Sequence, residues 1–197
     1  EEGAPRARLP RSGWAPMLAS ACTAMAGLGV FVISGAWLDD EYGVSTGGLG
    51  LIAAGFGAVE LASSVAVAAF ADRLGAGRSV LGGLVVLGAG AAVMLSAGDS
   101  RTVAVGGLAL YLTGFEFGFV ASLTLVTEAA PDARGKAIGV SNALGTLARS
   151  TAVILSGQLY EAFGISGSLT MAGAAATAAF SLTAITAVRL RRTATAG

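Results

Sequence analysis

The sequence predicts an all-α, polytopic membrane protein with six transmembrane helices. Of its 197 residues, 54% are hydrophobic and only 12% are charged, whereas about a quarter of the residues in a soluble domain are charged. The apolar residues fall into six stretches, each of about 20 residues, the length that spans a hydrocarbon core. Because the stretches are continuous and do not alternate with polar residues, they favour helices over a transmembrane β-barrel.

Short polar connections separate the six predicted spans. The spans are residues 14–38, 47–71, 79–98, 102–127, 137–160 and 166–188. We expect residues 14–192 to form one transmembrane domain, preceded by a cytoplasmic linker at 1–13 and followed by a cytoplasmic tail at 193–197. The linker is polar, contains Pro and Arg and has no apolar core, so it does not resemble a signal peptide. Since the chain does not begin with Met, we expect it to be part of a longer protein.

The basic residues lie almost entirely on one side of the predicted helices. The polar segments on that side contain Arg6, Arg8, Arg11, Arg73, Arg78, Arg134, Lys136, Arg189, Arg191 and Arg192. The opposite side contains a single basic residue and five acidic ones: Arg101, Asp39, Asp40, Glu41, Asp99 and Glu161. The positive-inside rule therefore places both termini in the cytoplasm. We expect a multi-pass protein of the inner (plasma) membrane.

Several classes of chemistry are disfavoured by what the sequence lacks. It contains no His and a single cysteine, Cys22, which lies inside the first span. Catalysis by Ser-His-Asp or Cys-His groups, and most zinc sites, are therefore excluded. No Walker-type phosphate loop is present. We expect the protein not to be an enzyme, and we expect no cofactor, no metal site and no nucleic-acid partner.

The two halves of the chain resemble one another faintly. The spans divide into three-helix units at residues 14–98 and 102–188. Residues 68–75, Ala-Ala-Phe-Ala-Asp-Arg-Leu-Gly, and residues 157–164, Gly-Gln-Leu-Tyr-Glu-Ala-Phe-Gly, share an apolar residue, an acid and a Gly at the same spacing. These segments fall on opposite faces of the membrane, as an inverted-topology repeat predicts. The alternative is a chance similarity at helix ends, where Gly is common.

Three ionisable residues lie deep inside predicted spans. Glu60 and Glu116 are each about 16 Å from the cytoplasmic end of their span, and Arg149 is about 18–20 Å from the start of its own. All three are therefore expected near the midplane of the bilayer, where a charge needs a cavity or a partner. One interpretation is a substrate or proton site, to which Asn142 adds a polar group. The other is a buried pair that fixes helix register, most simply Glu116 with Arg149.

Two motifs give the chain a family resemblance. Phe70-Ala-Asp-Arg-Leu-Gly75, with Arg78 just beyond, resembles the cytoplasmic signature between the second and third helices of a six-helix half in the major facilitator superfamily of secondary transporters. The sequence departs from that signature at Ala68, where the family has Gly, and at Ala76-Gly77. Pro131-Asp-Ala-Arg-Gly-Lys-Ala137 is similar to the segment that starts the fifth helix of a half. The resemblance covers residues 14–192.

The resemblance implies that the chain is one half of a twelve-helix transporter. The basic leader is similar to the end of the central cytoplasmic loop, and Gly145 to Arg149 lack the Gly-Pro of an N-terminal drug-exporter half. Both features favour the C-terminal half, with an N-terminal six-helix half as its partner. In the family the first, second, fourth and fifth helices of a half face the cavity. The signature residues act at the cytoplasmic gate, and here they are Asp72, Arg73, Gly75 and Arg78.

Transport of a small organic solute by alternating access is therefore the expected function. Glu60 and Glu116 favour proton coupling, because a carboxylate in an apolar cavity can take up and release a proton. Few aromatic or amide groups are available for sugar hydroxyls, so efflux by antiport is favoured over sugar uptake. The alternative is a stand-alone six-helix membrane protein that dimerises as a scaffold or half-transporter.

Overall fold

The computed structural model describes residues 9–194, except for the side chains of residues 11, 66–73 and 191–194. The predicted linker and tail therefore lie partly outside the described residues, at 1–8 and 195–197. Throughout the described part the secondary structure is helical, without strands. The long helices are α1 (Trp14–Tyr42), α2 (Thr46–Leu74), α3 (Ala76–Leu95), α4 (Arg101–Glu128) and α5 (Arg134–Ala194). Short 3-10 turns at Arg11–Gly13 and Pro131–Ala133 precede α1 and α5.

The five long helices are each long and apolar enough to cross a membrane. The described part of the chain is thus all-helical, as expected for a membrane protein, but it contains five long helices where six spans were predicted. Helix α5 has 61 residues, about twice the length needed to cross a bilayer. It contains both of the last two predicted spans, 137–160 and 166–188.

Helix α5 is interrupted at Gly164, whose backbone has φ 63° and ψ −159°. The Ser168 hydroxyl donates to the carbonyl oxygen of Ser156 over 3.0 Å, although these residues would stand about 18 Å apart in a straight helix. A Cβ on Gly167 would lie 2.6 Å from the carbonyl oxygen of Leu159. The chain therefore folds back at Gly164, and we name residues 134–163 the first leg of α5 and residues 165–194 its second leg.

Several helix ends differ from their predicted positions, those of α1 and α3 among them. Helix α1 continues through Asp39, Asp40 and Glu41, which were expected in a polar connection. It ends where Gly43 adopts φ 59° and donates its N–H to the carbonyl oxygen of Asp39 over 2.9 Å, an arrangement that glycine favours at helix ends. Helix α3 ends three residues earlier than predicted, at Leu95, before a turn in which Gly98 has φ 51°.

The two segments of the predicted repeat end on glycines with similar backbone conformations. Gly75 has φ 79° and Gly164 has φ 63°, a region that is costly for residues with a Cβ. Each glycine lies between two helical segments, at the α2–α3 junction and at the break in α5. Residues 68–75 and 157–164 therefore both end at turns of the chain, while the inverted repeat itself stays a prediction.

Helices α1 and α4 form the centre of the bundle. The most extensive contacts are those of α1 with α5 and of α3 with α4. Val30 and Trp37 of α1 and Leu108 and Tyr111 of α4 are fully buried in the largest apolar cluster. Helix α2 makes fewer contacts among the described residues: it packs chiefly on α4, and most of its described side chains are exposed.

Glycines bring α3 and α4 into direct backbone contact. A Cβ on Gly83 of α3 would lie 2.5 Å from the backbone nitrogen of Gly118. On α4, a Cβ at Gly114 would collide with the backbone of Leu87 and lie 2.7 Å from the carbonyl oxygen of Gly83. Backbone atoms cannot move aside as a flexible side chain can. Small residues let helices approach closely in lipid, so the Gly114–Gly118 pair has a packing role within this chain.

Replacing Gly114 with Ala should therefore separate α3 from α4 and lower the free energy of unfolding by about 1–3 kcal/mol, as overpacked cores do. Gly106→Ala, on the same helix, is the matched control, because nothing lies within 4 Å of its added Cβ. Thermal unfolding of both variants in detergent measures the effect. Equal midpoints for Gly114→Ala and Gly106→Ala would contradict the close α3–α4 contact.

Candidate functional site

A cavity of about 200 Å³ lies between α1, α2 and α4. Its lining is mostly aliphatic and aromatic, with two carboxylates. The lining residues are Leu28, Phe31, Phe56, Val59, Glu60, Leu112, Phe115 and Glu116. Of the four residues predicted for substrate or proton coupling, the cavity therefore brings together Glu60 and Glu116.

The α4 wall of the cavity is anchored to α1. The buried Tyr111 hydroxyl donates to the carbonyl oxygen of Ala26 over 2.8 Å, one turn before Phe115 and Glu116. Phe115 lies against Gly27, where any Cβ would collide with its ring. The Phe115 ring also stacks on that of Phe119, with 5.7 Å between centroids. These contacts fix the part of α4 that carries Glu116, whose side chain is half-buried.

Helix α2 supplies the opposite wall. Phe56 and Glu60 are four residues apart, so they lie on one face of α2, and both line the cavity. The part of the Glu60 side chain that does not line the cavity is exposed. Glu60 and Glu116 line the same cavity, so negative charges on both would repel each other. Glu116 thus lies on α4, which is anchored to α1, and Glu60 lies on α2, which makes fewer contacts.

Arg149 and Asn142 lie on the first leg of α5 and do not line this cavity. The Arg149 guanidinium donates to the Thr146 hydroxyl over 3.2 Å, and the Thr146 hydroxyl donates to the carbonyl oxygen of Asn142 over 2.9 Å. No ion pair between Arg149 and Glu116 forms among the described residues. Arg149 therefore does not neutralise the two carboxylates. Instead, Asn142, Thr146 and Arg149 form a separate polar face of the first leg of α5.

The predicted gate residues lie at the α2–α3 junction. Gly75 directly precedes α3 with φ 79°, and its carbonyl oxygen accepts from the Ser79 hydroxyl over 3.2 Å. Arg78 is exposed and borders a groove shared with Glu128 of α4 and Leu190 of α5. The side chains of Asp72 and Arg73 lie outside the described residues. The gate role of these four residues stays a prediction.

The sequence-based prediction missed the aromatic part of the cavity. Phe31, Phe56 and Phe115 come from three different helices, and no local pattern brings them together. The sequence did indicate two of these residues, because Phe56 is one helical turn from Glu60 and Phe115 directly precedes Glu116. Phe31 could be found only once α1 was placed beside α4.

Gly27→Ala should push the Phe115 ring into the cavity, since its Cβ would occupy the space of that ring. A cysteine at Val59, introduced with Cys22 replaced by Ser, reports on the cavity through its rate of alkylation by a small maleimide. We expect this rate to fall several-fold in Gly27→Ala. Gly35→Ala is the control on the same helix, because nothing lies within 4 Å of its Cβ. An unchanged rate in Gly27→Ala would show that Phe115 does not wall the cavity as described.

Comparison with known proteins identifies the family. The family model described as Major Facilitator Superfamily matches residues 17–196, nearly the whole chain. No curated protein and no solved structure matches it. The match agrees with the resemblance of the signature segments and with the long apolar helices. The chain belongs to the Major Facilitator Superfamily, whose members are secondary transporters.

Proposed function

We propose that the protein exports a small organic solute by alternating access, in exchange for protons, and that the Glu60–Glu116 cavity is part of its pathway. The observation that carries this proposal is the pair of carboxylates in one apolar cavity. Charged side chains inside a membrane are costly and are usually found at substrate or ion pathways. Nothing in the proposal requires a cofactor or an enzymatic reaction.

The arrangement of the carboxylates supports coupling to protons. Two carboxylates that repel each other in an apolar cavity favour the protonated form of at least one of them. Uptake of a proton would remove the repulsion between Glu60 and Glu116 and let α2 move closer to α4. Loss of that proton from the carboxyl group would restore the negative charge of the cavity. Proton transfer can therefore alter both the charge of the cavity and the spacing of its walls.

We further propose that the two legs of α5 cross the membrane separately, which gives six crossings. The reversal at Gly164 supports this, because it lies midway between two apolar segments, each long enough to span a bilayer. Six crossings place both termini on the same side. The distribution of Arg and Lys favours the cytoplasm for that side and the plasma membrane as the location.

A second six-helix half is the partner that we propose for this chain. Large apolar side chains are exposed on α2 and on the first leg of α5, with relative exposures of 77% for Leu51, 69% for Leu61, 67% for Leu147 and 62% for Ile154. These side chains would contact either lipid or another helical unit. Asn142 and Arg149 lie on the same first leg and are poorly suited to lipid. A partner half would enclose them and make them available to substrate.

The alternative is a six-helix protein that pairs with a second copy of itself. The same exposed faces of α2 and α5 would then form the contact. The mass of the native polypeptide in its source membrane separates the two cases. A chain of about twice this length would favour the single twelve-helix transporter, and a chain of this length found as a dimer would favour the alternative.

The double variant Glu60→Gln, Glu116→Gln should lose proton coupling, because an amide keeps the size of the side chain but cannot exchange a proton in this range. Proton movement driven by a substrate gradient should fall to the level of empty liposomes. The measurement uses the full-length protein in liposomes with an enclosed pH indicator. Glu161→Gln, at an exposed carboxylate outside the cavity, is the control. Coupling at the wild-type level in the double variant would refute the assignment.

Asp72→Asn should impair transport without blocking membrane insertion, because it removes the negative charge of the proposed gate and leaves the basic residues that orient the chain. The rate of transport per inserted molecule should fall several-fold. Asp132→Asn, at an exposed acid of another connection, is the matched control. Transport by Asp72→Asn at the rate of the control would refute the gate role.

A further inference from the structure

We propose that the cavity between α1, α2 and α4 binds a lipophilic organic cation, with its charged nitrogen between Glu60 and Glu116. This inference rests on the proposed function, because it names the class of solute that would use the pathway. It follows from the charge, the aromatic lining and the size of one cavity.

The charge of the lining favours a cation. Glu60 and Glu116 are its charged members, and no Lys or Arg lines the cavity among the described residues. Arg149 is directed to Thr146 instead. A bound cation would relieve the repulsion between the two carboxylates, whereas an anion would add a third negative charge at short range in a medium of low dielectric constant.

The rest of the lining determines what kind of cation fits. Phe31, Phe56 and Phe115 provide aromatic rings from three helices, and aromatic faces attract quaternary and alkylated ammonium groups. Leu28, Val59 and Leu112 would contact apolar substituents. Hard metal cations need six or more oxygen ligands or retained water, and such a lining does not provide them. Sugars need several hydrogen-bonding groups, which are also scarce here.

The size of the cavity limits the part of the ligand that it can hold. Sites for drug-sized ligands usually measure about 300–1,000 Å³, and this cavity measures about 200 Å³. It therefore suits an ammonium group with one aromatic ring. A larger solute would extend beyond the residues that line the cavity.

The two carboxylates should contribute unequally. Glu116 is half-buried on the wall that Tyr111 anchors to α1. Glu60 lies on α2, which packs chiefly on α4, and its side chain is less enclosed than that of Glu116. Loss of charge at position 116 should therefore reduce cation affinity more than loss of charge at position 60.

The test measures equilibrium binding of radiolabelled benzyltrimethylammonium to the full-length protein in nanodiscs. Neopentylbenzene is the matched competitor, since it has the same shape with a neutral carbon in place of the nitrogen. We expect saturable binding that the neutral compound does not displace at equal concentration. Affinity should fall about tenfold or more in Glu116→Gln, which corresponds to the loss of one strong charge contact. It should fall less in Glu60→Gln and not at all in Glu161→Gln.

Phe56→Leu should also weaken binding, and Phe56→Tyr should preserve it, because only the second keeps an aromatic face. These variants keep the proposal testable if a Glu variant does not fold. Absence of saturable binding, equal displacement by neopentylbenzene, or wild-type affinity in the Glu60→Gln, Glu116→Gln double variant would each overturn it. Proton movement is measured separately on the same preparations. Intact coupling without cation binding would reject the solute class alone, whereas cation binding without coupling would reject the proposed exchange with protons.

Discussion

The contact between α1 and α4 determines where the candidate site can form. Tyr111 donates its hydroxyl hydrogen to the backbone of α1, and Gly27 leaves room for the ring of Phe115. In a membrane no hydrophobic force draws helices together, so close packing and buried hydrogen bonds have to supply the association energy. Both are present at this contact. Glu116 follows directly after Phe115, and the contact therefore sets the position of its carboxylate.

Other helices pack around this centre with different degrees of contact. The first leg of α5 lies on α1 through small residues, and the Ser156 hydroxyl donates to the carbonyl oxygen of Gly29 over 2.6 Å. Helices α3 and α4 meet through glycines. Helix α2 has fewer contacts, and it carries Glu60. The cavity therefore lies between a wall with many contacts and a wall with fewer, and each wall carries one carboxylate.

Hydrogen bonds from two tyrosines join the C-terminal end of α1 to α5 and to the α3–α4 connection. The Tyr160 hydroxyl donates to the Asp40 carboxylate over 2.8 Å, and the Tyr42 hydroxyl donates to the carbonyl oxygen of Gly98 over 3.0 Å. These bonds explain why α1 continues past its predicted end at residue 38, because its acidic last turn packs against α5 and the α3–α4 connection. The hydropathy of the sequence marks where apolar residues stop, and a helix can continue beyond that point when its polar residues find partners.

The sequence by itself determined the helical class, the approximate positions of the long apolar segments and the family, because continuous apolar segments and the signature around Asp72 are local properties. It also made Glu60 and Glu116 candidates for the site, since charged residues are rare within apolar segments. Only the tertiary structure decided that these two share a cavity while Arg149 turns to Thr146. Phe31, Phe56 and Phe115 likewise meet only through the packing of three helices. The neighbours of a side chain depend on helix rotation and crossing, and those are set by contacts between residues far apart in the chain.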